Sequence, residues 1–466
     1  MGDGARASVV FMPEDPRDES EEEFRKMLSE FLAGNAQFDP SQLANVAGLP
    51  NDPALLAQLM SQLQSALNSS GDGINWNLAL EQATRIAGAS SIVSLPAERS
   101  QLEQALHVAS LWLAETTDIS ELTVAPRLMS RTEWVTATMP FWTQLAEPVA
   151  TSIADSLTSA FQEQAPEELG SMAAGAEGIV RNLGGTLFAM QLGQVVGQLA
   201  SEVVSGGDIG IPLLGPLGEA DQQAALIPQN VVAFAAGLDV PIDQVQLYLA
   251  VRELAHARLF RHAKWLRLQL LSSITESSRG LTFDAEQLQD KLEGLDPTNH
   301  DEIRAMLTSG ELIPPKTDEQ LAALGRLETM LALIDGWVDV ITAEATSRLP
   351  RSAAIAETVR RRRAAGGPAE SAFATLVGLE LRPRRLREAS AMWKQVTDAV
   401  GAAQRDALWS HPDLVPTAED ITDPSALIAR ITGATPELDD VDRALEDLLN
   451  DDTGDRPHEG TDGSVN

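Results

Sequence analysis

The chain has 466 residues, is 44% hydrophobic and carries 68 acidic against 34 basic side chains, a formal net charge of −34. That charge repels nucleic acid and anionic lipid, and the absence of cysteine excludes disulfides and thiolate metal sites. Aromatics make up only 4%, so the core has to be built from Leu, Ala, Val and Ile, a composition that favours helices.

In chain order, the opening MGDGARASVVFMPEDPRDESEEE lacks a charged start followed by a long apolar run, so no secretory leader is read and a cytoplasmic protein is expected. FRKMLSEFLAG (24–34) and PALLAQLMSQLQSALNSS (53–70) have helical spacing between Pro- and Asn-containing breaks. Residues 1–72 are therefore expected to form a flexible, partly disordered N-terminal arm. After SSGDG (69–73) the helical pattern becomes continuous, first in NWNLALEQATRIAG and then in PAERSQLEQALHVASLWLAETT. The second segment starts at a proline and carries early acids, as a helix start should. No alternating strand pattern is sustained.

Residues 182–201, NLGGTLFAMQLGQVVGQLAS, carry no charge and contain Gly193-x-x-x-Gly197. Asn182, Gln191, Gln194 and Gln198 are costly in lipid. The segment is therefore read as a buried core helix packed through its glycines, not as a membrane span. GGDIGIPLLGPLG (206–218) reads as an irregular loop without a nucleotide-binding pattern, and as a candidate wall for a cleft. Arginines crowd 351–387, including 360–363 and RPRRLR at 382–387. The favoured reading is a solvated helix face paired with acids elsewhere; an anion-binding patch is the alternative. The chain is expected to divide into the arm, a mainly α domain over 73–423, and an acidic disordered tail over 424–466.

Function is concentrated in YLAVRELAHARLF (248–260). Pro241 and Asp243 suit a first helical turn, and from there the sequence runs through Trp265 without a breaker. Glu253-Leu254-Ala255-His256 matches the last four positions of the zinc-protease motif H-E-x-x-H, with Arg252 in the first. Positions 252 and 256 share one helix face, with Glu253 beside them. In a working zinc site that face carries two imidazoles, and the glutamate deprotonates a metal-bound water. A guanidinium has no lone pair to give and does not deprotonate in a protein, so Arg252 cannot bind zinc. The natural expectation is that Arg252 pairs with a carboxylate, replacing the metal with a salt bridge.

Two downstream residues have third-ligand spacing. His262 would face away, roughly 240° around an unbroken helix, and is rejected. Glu276, in SSITESSRG, lies at a gluzincin-like distance and is a candidate. His107 is expected to be partly buried, and His411 to sit in a turn. The tryptophans at 112, 142, 265, 337, 393 and 409 are expected to be packing anchors.

Several blocks, in order, cover Trp76 to Asp423: MQLGQVVGQLASEVVSGGDIGIPLL, PQNVVAFAAGLDVPIDQVQLYLAVRELAHARLFRHAKWLR, LIDGWVDVITAEATSRLP, RRRRAAGGPAE, LVGLELRPRRLREASAMWKQV and RDALWSHPDLVPTAEDI. They resemble a bacterial family of zincin-like proteins of unknown function that bears the name zinc-dependent metalloprotease or hydrolase. The resemblance implies a multi-helix zincin-like core with the 248–260 helix at its centre. It matches Glu253 to the general base and His256 to the second histidine ligand. It adds Asp335, in LIDGWVD, as a second candidate for the remaining metal ligand. Because Arg252 departs from the motif, the expectation is a zincin-like protein with impaired or lost zinc catalysis whose cleft binds a peptide or protein partner. The alternative is an active zinc hydrolase with Glu253 as general base.

Overall fold

The computed structural model describes residues 74–164, 185–186, 188–214, 223–278, 317–364 and 385–433, with no side-chain detail at 152–164, 277–278 and 364. The expected N-terminal arm and the acidic stretch after 433 lie outside these residues.

The described chain is mainly helical. Helix α1 (Trp76–Ala89) and helix α2 (Pro96–Ala114) fall where the periodicity places them. α1 is capped by the Asn75 side chain, and α2 starts at Pro96 with Glu98 reaching back to the Leu95 backbone. Strand β1 (Arg127–Leu128) leads into the long helix α3 (Arg131–Gln164). Helix α4 covers 188–200. Strand β2 (Ala225–Leu226) pairs in parallel with β1, Arg127 opposite Ala225 and Leu128 opposite Leu226. Two-residue strands leave no room for an alternating pattern in the sequence.

α4 is the uncharged segment, and it is a core helix. Its glycines lie directly on α1: a Cβ at Gly193 would sit 2.6 Å from the Ala79 carbonyl oxygen, and one at Gly197 2.8 Å from Ile86 Cβ. Leu192, Val196 and Leu199 are buried around this contact. The small-residue spacing thus serves close packing inside a protein core. No described helix is long and apolar enough to cross a membrane.

Helix α5 (Pro228–Ala236) precedes helix α6 (Ile242–His262), the centre of the molecule. Every α6 residue from Tyr248 to Phe260 is buried. α6 packs against α2 on one side and helix α8 (Asp318–Ala345) on the other. The sequence suggested that α6 continues past Trp265, but it stops at Ala263 (φ −92, ψ 70), and helix α7 (Lys264–Ser278) starts in a new direction. Neither glycine nor proline causes the break. The Ala263 side chain is fully buried, and α7 turns to pack along α8, so tertiary packing overrides the local helical preference.

Helix α9 (Ser352–Ala364) carries the first arginine run, and helix α10 (Leu386–Ala407) packs along α8, interrupted at Gly401 (φ 81). The far end of α10 is locked by a buried cluster. Asp406 accepts hydrogen bonds from Thr117 Oγ1 (2.6 Å), Trp337 Nε1 (3.0 Å) and Arg405 Nε (2.7 Å), and Arg405 also donates to the Thr116 carbonyl (2.9 Å). Short helices α11 (Ala418–Thr422) and α12 (Pro424–Thr432) close the domain. α12 packs on α10 with Leu427 buried, so the helical domain runs past the expected boundary at 423. His107 is exposed on α2, not partly buried, because Leu106 and Ala109 already face the core there. His411 caps a turn as expected, accepting from the Asp413 backbone N–H.

Candidate functional site

α6 presents Arg252, Glu253 and His256 to the loop 205–214 and to α8. All three side chains are buried. The loop expected to wall a cleft lies directly on these residues. A Cβ at Gly207 would stand 2.2 Å from His256 Nδ1, and one at Gly206 3.1 Å from Glu253 Oε1. Gly210 turns with φ +78, and its missing Cβ leaves room for Arg363 and Asp335. The glycines of SGGDIG therefore let the backbone close over a histidine and a glutamate.

Glu253 is held by backbone. Its Oε2 accepts from the Gly207 N–H and its Oε1 from the Ala225 N–H, each at 2.9 Å, with a further bond from Ser205. Burial pushes its carboxyl up to about 7, and the three hydrogen bonds offset only part of that. His256 is pushed down to about 4 by burial, aided by the positive charge of Arg252 and opposed by Asp335 and a bond with the Gly210 backbone. Its Nε2 is buried and has no hydrogen-bond partner among the described residues. Its ring packs 4.8 Å from that of Phe260.

The two shifts have opposite linkage. The unfolded chain protonates His256 more readily, so its contribution is complete above about 6.5 and is lost as pH falls towards about 4. The folded chain protonates Glu253 more readily, so its contribution is complete below about 4.5 and is lost as pH rises through about 7.

Asp335 lies on α8, fully buried. Its Oδ1 accepts from Arg252 at 2.8 Å, and its Oδ2 is ion-paired with Arg363 of α9. Burial opposes its ionisation, but the guanidiniums of Arg363 and Arg252 outweigh that and hold its carboxyl below the ordinary range. Burial likewise opposes the charge of Arg252, and Asp335 more than restores it. The salt bridge expected of Arg252 therefore exists, and its partner is Asp335.

Glu276 is not brought to this centre. It sits half-exposed on α7, bonded to Ser272 and 3.5 Å from Arg326 of α8. The turn at Ala263 re-aims α7, so the gluzincin-like distance does not become proximity. His262, at the end of α6, is exposed, as its angle on the helix requires.

Sequence reasoning missed the arginine run as part of this site. Arg360 binds both oxygens of Asp339, Arg362 pairs with Asp208 at 3.2 Å, and Arg363 holds Asp335. Arg361 alone points to solvent, beside Glu357. The arginines do pair with acids elsewhere, as favoured, but three of the four turn inward. The available signal was the matched spacing of Asp335 and Asp339, four apart on α8, against Arg360 and Arg363, three apart on α9.

A zinc ion does not fit this donor set. Arg252 offers no lone pair, both Asp335 oxygens are taken by guanidiniums, and both Glu253 oxygens are taken by backbone N–H groups. Among these described residues only His256 Nε2 is free to bind a metal, whereas a catalytic zinc needs three protein ligands. Among the described residues no group of three His, Asp or Glu side chains is arranged to hold a metal.

In comparison with known families, residues 74–428 match the zincin-like metallopeptidases. No curated protein matches the chain. Among solved structures, the chain is similar to a hydrolase candidate with a novel fold from Chloroflexus aurantiacus. The identity is 18% and the TM-score 0.53, over 77% of this chain and 99% of that one. At that identity the likeness speaks for the fold alone.

Proposed function

The chain belongs to the zincin-like metallopeptidase family, and from that premise we propose that it keeps the fold without the zinc chemistry and acts by binding a peptide or protein partner. The observation that carries this reading is the Arg252–Asp335–Arg363 ion triplet. It puts fixed guanidinium charge where the motif would place a divalent cation, and it consumes the carboxylate that could have completed a metal site. The partner-binding part is supported by a groove of about 530 Å³ between α8 and α10. It is lined by Asp339, Ala343, Glu344, Ser390, Ala391 and Lys394. The motif itself lies under the loop, so the groove beside it is the better place for a partner than a cleft over Glu253. A net charge of −34 argues against nucleic acid and anionic lipid as partners.

One observation favours a second reading, an active zinc hydrolase with Glu253 as general base. His256 Nε2 is a neutral, buried, unpartnered donor. A degenerate peptide library incubated with the protein and zinc separates the two. We expect peptides to be retained and none to be cut. Arg252→His is expected to stay inert as well, since Arg363 still occupies Asp335. Zinc-dependent cleavage that disappears in Glu253→Gln would establish the hydrolase, and a library with no retained member would remove the partner-binding part.

A further inference from the structure

We propose that the last turn of α9 is an ionic strap that keeps the loop 205–210 shut over Glu253 and His256, and that releasing it opens the site. This holds whichever way the zinc question falls.

The strap is visible in how differently the two ends of α9 are held. The first half is anchored by the buried side chains of Ile355, Ala356 and Val359. The last turn is held by charge. Arg360 reaches Asp339 on α8, Arg363 reaches Asp335 on α8, and Arg362 reaches Asp208 in the loop and donates to the Glu202 carbonyl just before it. Arg362 also lies over the Phe234 ring of α5, 5.8 Å from its centroid. One helical turn thereby joins α8, α5 and the loop.

The loop's remaining polar attachments are hydrogen bonds. Gly206 N–H bonds the Ala225 carbonyl, Gly207 N–H and the Ser205 side chain bond Glu253, Asp208 accepts from the Val204 N–H, and the Gly210 backbone bonds His256. Gly206, Gly207 and Gly210 have no side chains to withdraw from the core, so Ile209 is the one apolar side chain of 205–210 that leaves it when the loop lifts. Arg362, beside Asp208, binds the loop to α9. Lifting it would bring water to Glu253 and to the unpartnered His256 Nε2. Segments held by few apolar contacts open locally, ahead of global unfolding.

The test is hydrogen exchange read by mass spectrometry, together with diethyl pyrocarbonate labelling of His256, on Arg362→Gln and on Arg361→Gln. Arg361 is 72% exposed and serves as the control on the same turn. In Arg362→Gln, amides of 205–210 should exchange about tenfold faster, the order expected for a lost partly buried ion pair. His256 should become labelled, while α2 and the core of α6 stay protected. Arg361→Gln should match the unaltered protein. Exchange over 205–210 that does not change in Arg362→Gln overturns the proposal. So does equal acceleration in α2 and α6, which would make α9 an ordinary part of the global fold. If Arg362→Gln does not fold, the unaltered protein in about 1 M NaCl, where the Debye length is about 3 Å, gives the same readout. Faster exchange confined to 205–210 supports the strap, and exchange independent of salt overturns it.

Discussion

Asp335→Ala is expected to cost about 3–5 kcal/mol of stability, the range for removing one partner of a buried ion pair. The substitution deletes a fully buried carboxylate and leaves two guanidiniums facing each other, with the Arg252 and Arg363 side chains only 10% and 11% exposed. The charge pattern decides the size of the effect more than the lost volume does. If that is right, replacing all three groups with apolar ones should recover most of the loss. A chain carrying Arg252→Met, Asp335→Leu and Arg363→Met together is expected to be clearly more stable than Asp335→Ala alone, since an apolar set of similar volume is often neutral or better. Urea denaturation gives both values. A small loss in Asp335→Ala, below about 1 kcal/mol as for exposed pairs, would mean that the triplet is not what holds this centre together.

Gly207→Ala is the second large effect. The added methyl would lie 2.2 Å from His256 Nδ1 and 2.7 Å from its Cγ, inside the ring's own volume. The ring has little room to retreat, because Phe260 packs against it and the site is buried. The loop must rise instead, and the Gly207 N–H then loses Glu253. Overpacking typically costs about 1–3 kcal/mol, and the lost charge-assisted hydrogen bond adds to that. A loss near or above about 3 kcal/mol is therefore expected. The cause can be isolated by repeating the substitution in a His256→Ala background, where the methyl has space and the cost should fall by more than half. An unchanged cost in that background would place the strain elsewhere.

Much of the framework was readable from residue patterns. α1 and α2 follow from apolar spacing and their start signals, and α4 from an uncharged run with glycines at i and i+4. That Glu253 and His256 lie together on one helix follows from the motif, and the central place of that helix from the family likeness. What could not be read is what lies opposite them. Asp335 came from a family likeness and not from spacing, and its second partner, Arg363, sits on the next helix, 28 residues on. The only trace of that contact in the sequence is the matched spacing of two acids on α8 and two arginines on α9. The Glu276 expectation failed for a related reason: its distance along the chain assumed a particular turn between α6 and α7, and burial of Ala263 sets a different one. The glycines of 205–210 were read as irregular loop, whereas their small size is demanded by a histidine and a glutamate lying beneath the backbone.

At the motif the structure has Arg252 where a lone-pair donor would stand, Asp335 paired with two arginines, and Glu253 bonded to backbone amides. Each of these bears on the proposed loss of zinc chemistry.

The most direct measurement is the zinc content of the protein, purified without chelator and analysed by mass spectrometry of the metal. The expected result is far less than one zinc per chain, with no change in His256→Ala. One zinc per chain, lost when His256 is replaced by alanine, would contradict the account at its centre.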